Sequence, residues 1–220
     1  MPVCASPIKA EVARFTLLDA CGAPVLGDGS AQVTTDSFVD IQNSPNYEAG
    51  QRFLQRKANG TPCVNEQDPG FLNWIEQTVN LCTLDVDLIG VVTGEDMISS
   101  DTDFIGVQFG DGLLNARFSK EVWQPVAGQG ACNEDGLQQW IYWAFPHEYD
   151  AQIQSFAFAN DVFTFGYMSK TKPANPAWDI GDPWLGNTPV SAWGPNKHFA
   201  FAITTTPPPE PSCGAVEIGS

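Results

Sequence analysis

Residues 58–94 read ANGTPCVNEQDPGFLNWIEQTVNLCTLDVDLIGVVTG, and the reading of this stretch decides the fold. Asn59-Gly60 and Pro62 make its start a turn. Residues 74–83 alternate in polarity and predict a strand, because successive side chains of a strand point to opposite faces. The apolar run that follows is too short for a long helix and is bounded on both sides by helix signals. Asp85 is placed as N-cap for residues 86–92, Asp87 falls in the positive first turn, and Gly94 suits a left-handed C-cap. The stretch therefore predicts turn, strand and one or two helical turns. None of its residues has the spacing of a catalytic motif.

The bulk composition extends this reading to the whole chain. Its 220 residues are 43% hydrophobic, enough to bury a substantial core in one large domain or two small ones. Charged residues make up only 16%, while 20 glycines and 17 prolines suit many turns and short strands, so the class expected is mainly β with long loops. With no internal repeat, coiled coil or evident linker, residues 1–206 are taken as a single β-rich domain and 207–220 as a Pro-rich C-terminal tail. The formal charge is −16, and residues 58–116 hold ten acids with no Lys or Arg. Such a surface repels phosphate backbones and anionic membranes; its ordinary meaning is solubility alone. No stretch is apolar enough for a membrane-spanning helix, and MPVCASPIKAE has neither the basic start nor the apolar core of a signal peptide, so cytosolic synthesis is expected. The six cysteines (Cys4, Cys21, Cys63, Cys82, Cys132 and Cys213) include no C-x-x-C pair, which argues against zinc. Buried thiols are the expectation without a secretion signal, with a Cys63–Cys82 bridge as the alternative.

Outward from the organising stretch, residues 11–18 alternate as a first strand and 30–43 as a second, which Ser44-Pro45-Asn46 should end. Residues 47–57 form another extended run, predicted to pair with the second strand as a long hairpin. In places this hairpin is polar on both faces, which leaves strand surface for a neighbouring subunit to complete. Residues 95–111 read as an acidic loop. Asp101, Asp103 and Asp111 do not have the spacing of an EF-hand, so a solvated loop is preferred to a calcium site. Residues 113–123 alternate, placing Lys120 on one face with Phe118 and Val122, and Glu121 on the other. Residues 137–145 are aromatic on both faces and predict a central, doubly covered strand. Residues 151–159 and 162–170 pair about Asn160-Asp161. Residues 172–195 form a long Pro/Gly/Trp loop, and 197–205 the last strand, with a tail expected to be mobile or held by a neighbour.

Catalytic motifs are missing from the sequence. His147 and His198 show no zinc-hydrolase spacing, and there is no G-x-S-x-G elbow and no phosphate loop. The expectation is a non-enzyme with no cofactor and no metal. A glycosidase needs only two suitably spaced carboxylates, and the chain has 26 acids. With Trp178, Trp184 and Trp193 as an aromatic platform, this sustains the alternative of an extracellular carbohydrate-binding or glycan-cleaving β-sandwich.

The strand ending Leu81-Cys82-Thr83-Leu84-Asp85, followed by Asp87-Leu-Ile-Gly-Val-Val-Thr-Gly94, resembles the major tail (tail tube) proteins of long-tailed bacteriophages, the actinobacteriophage kind in particular. Glu121-Val122-Trp123, Tyr142-Trp143-Ala144-Phe145-Pro146, the segment 164–184 with its KTKPANPAW core, and the Thr/Pro run from Thr204 add to the match in order and spacing, over most of residues 10–209. The resemblance implies a tail-tube-type β-sandwich or barrel with long hairpins and one short flanking helix. It implies a structural virion protein that self-assembles into hexameric rings stacked as the phage tail tube, whose acidic lumen conducts DNA during ejection without binding it tightly. It also implies tape measure, tail terminator and distal tail or baseplate proteins as partners, no membrane, and a place in the virion tail after assembly in the host cytoplasm. By alternation, lumen-facing candidates are Asp36, Asp40, Gln42, Gln152 and Gln154, with the one-residue register left open. Candidates for contacts between subunits are Arg52, Arg56 and Lys57, expected to meet acids of a neighbour, together with Trp178, Trp184 and Trp193.

Overall fold

The computed structural model of the protein describes residues 6–25, 31–100, 103–112, 115–156, 164–175 and 196–215. Trp178, Trp184 and Trp193, the turn at Asn160-Asp161, most of the long loop and Cys4 lie outside the described residues. The chain is mainly β, with one α-helix among the described residues. In order come β1 (Ser6–Pro7), β2 (Val12–Leu17), β3 (Gln32–Thr35), β4 (Phe38–Glu48), β5 (Arg52–Arg56), β6 (Pro62–Gln67) and β7 (Phe71–Leu81). Then follow α1 (Val86–Thr93), β8 (Asp96–Ser100), β9 (Asp103–Gln108), β10 (Arg117–Ala127), β11 (Trp140–Ile153), β12 (Phe165–Thr171) and β13 (Ala200–Thr204). An antiparallel sheet carries the order β3-β2-β10-β11-β12-β7-β4, with β1 added to β10 and β13 to β11. As its aromatic sequence predicts, β11 is central, bonded to β10, β12 and β13.

The sheet curls around its core. Phe15 of β2 and Tyr167 of β12 have two strands between them in the sheet, yet their rings lie 6.5 Å apart, and Phe118 of β10 contacts both. Helix α1 packs into this interior through Leu88, Ile89, Val91 and Val92, against Ala13, Val33, Val79 and Leu81. Its ends are those the sequence predicts. The Asp85 carboxylate accepts from the N–H groups of Asp87 and Leu88, and Gly94 closes the helix at φ 68°, its N–H bonded to the Gly90 carbonyl. These contacts satisfy backbone groups that the helix itself leaves without partners.

Four expectations are corrected. The run 30–43 is two strands, broken at Asp36-Ser37, where the Ser37 N–H turns to the Thr35 hydroxyl. Ser44-Pro45-Asn46 does not end β4, which continues to Glu48. Among the described residues β4 is the end strand of the sheet and pairs only with β7, so Pro45, which has no N–H to give, costs nothing on the edge away from β7. The hairpin expected between residues 30–43 and 47–57 is not formed; β4 pairs with β7 and β5 with β6. The exposed outer ends of β4 and β7 run on into β5 and β6 as an arm, turned at residues 57–61 and jointed at Gly50, where the Asp68 N–H donates to the Gln51 carbonyl. Residues 95–111 are not a loop: β8 and β9 pair as a separate hairpin, with Met97 against Gly90 of α1 and Val107 on the core.

Candidate assembly surfaces

The pairings of four neighbouring strands show which of the alternating residues share a face of the sheet. Asp40 of β4 stands opposite Asn80 of β7, and Gln42 opposite Thr78. Asn80 and Thr78 stand opposite Gly166 and Met168 of β12, and Met168 opposite Gln152 of β11. Alternate residues of the same strands, Val79, Leu81, Phe165, Tyr167 and Ala151, are buried in the core. The other face is therefore polar from β4 to β11. Asn80 donates to the Asp40 carboxylate at 2.7 Å, and Gln42 donates to its second oxygen at 3.1 Å. A Cβ built on Gly166 would come within 3.0 Å of the side-chain oxygens of both Asn80 and Gln154, so these groups crowd together over the glycine. At one end of the face, Lys170 bonds Asp150 at 2.9 Å, and Glu76 stands opposite Lys170. Lys170 holds the Asp150 carboxyl below its ordinary range through their hydrogen bond, and Gln152 adds to this.

Four of the five lumen candidates, Asp40, Gln42, Gln152 and Gln154, thus share one face. Asp36 does not: it lies in the break between β3 and β4. Thr78, Asn80, Glu76, Met168 and Lys170 complete the face and were not singled out from the sequence. Their signal was the alternation of residues 74–83 and 162–170, which could not be assigned to a face while no partner was known for residues 74–83.

Arg52, Arg56 and Lys57 lie at the far end of the arm, and every residue of β5 and β6 is exposed. Arg52 donates to Asn65 at 3.1 Å and Arg56 to the Gly60 carbonyl at 2.9 Å; among the described residues neither forms a salt bridge. Apolar side chains lie bare along the arm, with Tyr47 71%, Phe71 54% and Phe53 45% exposed. The C-terminal tail, expected to be mobile or held by a neighbour, is tied to its own chain as far as Ala215. Ser212 N–H donates to the Thr34 carbonyl and Ala215 N–H to the Asp87 carboxylate at 2.8 Å.

Two buried charge clusters were also hidden in the alternation. Arg14 of β2 pairs with Glu121 of β10 at 2.5 Å, and Tyr142 of β11 donates to the same carboxylate. On the opposite face of β10, inside the curl, Lys120 pairs with Glu148 at 3.2 Å and donates to Gln77, while Ser169 donates to Glu148 at 2.6 Å. Burial lowers the Lys120 pKa and raises that of Glu148, and each partner's charge opposes the shift. Both clusters are closed to solvent and serve as internal ties between strands. His147 is buried beside Gly22, and burial, with the Lys172 and Arg117 charges, lowers its pKa to about 4. His198 meets the Thr171 hydroxyl at 2.9 Å. Among the described residues no group of three or more His, Cys, Asp or Glu side chains could hold a metal. Cys21, Cys63, Cys82, Cys132 and Cys213 are free and exposed, against the expectation of buried thiols and without the Cys63–Cys82 bridge. One cleft, of about 610 Å³, is lined mainly by apolar groups, among them Phe38, Ile41, Ile75, Val122 and Phe145.

Comparison with protein-family models and with curated protein sequences finds no match.

Proposed function

We propose that this chain is a structural subunit of the tail tube type, one that assembles with copies of itself into stacked hexameric rings and presents its polar sheet face to the central channel. The observation that carries this reading is the largely polar face that runs across β4, β7, β12 and β11, on the side of the sheet opposite Val79, Leu81, Phe165, Tyr167 and Ala151 of the core. Amides and hydroxyls along such a wall keep it wet, while Asp40, Glu76 and Asp150 outnumber Lys170. A phosphate backbone passing over it finds weak repulsion and little to bind. The projecting arm supports the same reading: bare apolar side chains on an element that its own chain does not cover are suited to a neighbouring subunit. In this reading the chain performs no catalysis, the DNA is a transient passenger, and tape measure, terminator and distal tail proteins meet the tube at its ends.

Negative-stain electron microscopy of the purified protein, alongside light scattering for mass, tests the proposal. Tubes or six-fold rings with a central hole are expected. A monomer at every protein and salt concentration, stabilised in a thermal melt by a glycan, would replace it with the carbohydrate-binding alternative.

A further inference from the structure

We infer that the tip of the arm, β5–β6, docks on the β8–β9 hairpin of a second copy of this chain, basic groups against acidic ones and bare apolar side chains against each other. The inference rests on the self-assembly reading and names two surfaces that would meet. Both are two-stranded sheets outside the main sheet, so each has free strand edges of its own. Both carry exposed apolar side chains: Phe53, Leu54 and Val64 on the tip, and Ile98 and Ile105 with neighbouring Phe109 on the hairpin. Bare apolar side chains gathered on one small element mark an association surface.

Charge selects the partner. Residues 52–67, which span β5 and β6, hold Arg52, Arg56 and Lys57 against the single acid Glu66, in a chain whose net charge is −16. Residues 95–112 hold Glu95, Asp96, Asp101, Asp103 and Asp111 and no base. A basic tip on an otherwise acidic chain is attracted to the acidic surfaces of another copy. Arg52 and Arg56 each give a hydrogen bond inside the arm, to Asn65 and the Gly60 carbonyl, and a guanidinium has five N–H donors. Both are therefore free to bind carboxylates in addition. Asp96 and Asp111 are exposed. The contact joins two different patches, so it is heterologous and propagates from copy to copy. A single pair of hairpins is smaller than a stable interface of about 1,200–2,000 Å²; repetition around a ring supplies the avidity.

The test compares four full-length chains by sedimentation and electron microscopy: wild type, a tip reversal (R52E/R56E/K57E), a hairpin reversal (D96K/D111K), and the combination of all five substitutions. Each reversal alone is expected to raise the concentration needed for association about tenfold or more, and the combination to recover most of that loss, since charge pairs of this kind set specificity. The altered side chains are exposed, so the melting temperature should hold. Hydrogen exchange on wild type gives a reading independent of the variants, with protection of β5–β6 and β8–β9 gained together on assembly. If wild type assembles while both reversals assemble equally well and neither hairpin gains protection, the docking is overturned and self-assembly stands. If wild type never associates, both fall.

Discussion

Asp85 serves two segments at once. One carboxylate oxygen caps α1 through the Asp87 and Leu88 N–H groups, while the other faces the Gly214 N–H of the C-terminal tail. Asp85→Ala removes a cap worth about 1 kcal/mol. A calorimetric Tm lower by about 2–4 °C is expected for a chain of this size. Lys120 presents a larger effect. Its partner Glu148 is fully buried, so Lys120→Met leaves a carboxylate without compensation and should cost about 3–5 kcal/mol in denaturant unfolding. Adding Glu148→Gln removes the orphaned charge and should restore much of that loss. His147 gives a pH signature. Its folded pKa, about 4, lies below the ordinary 6.5, so the unfolded chain binds the proton more readily. The stability held by neutral His147 is complete above pH 6.5 and is lost as pH falls toward 4. Relative to His147→Gln, the parent chain should therefore lose Tm progressively through that window.

At the scale of the element, the arm depends on a joint that tolerates no side chain. A Cβ at Gly50 would sit 2.1 Å from the Asp68 carbonyl oxygen, and backbone cannot yield as a flexible side chain can. Gly50→Val should disrupt pairing in β5–β6 while leaving the curled core intact, because none of the core residues lies on the tip. The expected result is faster hydrogen exchange in residues 51–68 with little change in global Tm. If the arm joins subunits, the same variant should assemble poorly.

At the scale of the whole molecule, the sheet has one face committed to the core and, over four strands, one face committed to water. Gln42 and Gln152 are exposed on that second face. Changing both to Lys should leave the monomer's stability within about 0.5 kcal/mol, as surface substitutions usually do. If the chain assembles into tubes with this face inward, the same change would place two cations per subunit along the channel. Retention of DNA by the variant in a filter-binding assay, steeply reduced by salt, is the expected outcome. Equal, negligible retention by parent and variant would argue that this face does not line the channel.

The sequence by itself determined whatever depends on neighbours along the chain. The helix was legible to its caps, since Asp85 and Gly94 act on backbone groups within one turn. The central place of β11 was legible because aromatic side chains on both faces need cover on both sides. The strand faces were legible too, so Asp40 with Gln42, and Gln152 with Gln154, were rightly grouped. Tertiary structure decided which strands met. Local alternation cannot tell β4 that its partner is β7, more than twenty residues on, since the gain from that pairing comes from a core assembled by distant segments. For the same reason alternation put Lys120 and Glu121 on opposite faces of their strand but could not show that they, or Glu148, are buried. Their burial is stable only because each meets its counter-charge from another strand, and that meeting exists only once the sheet has curled.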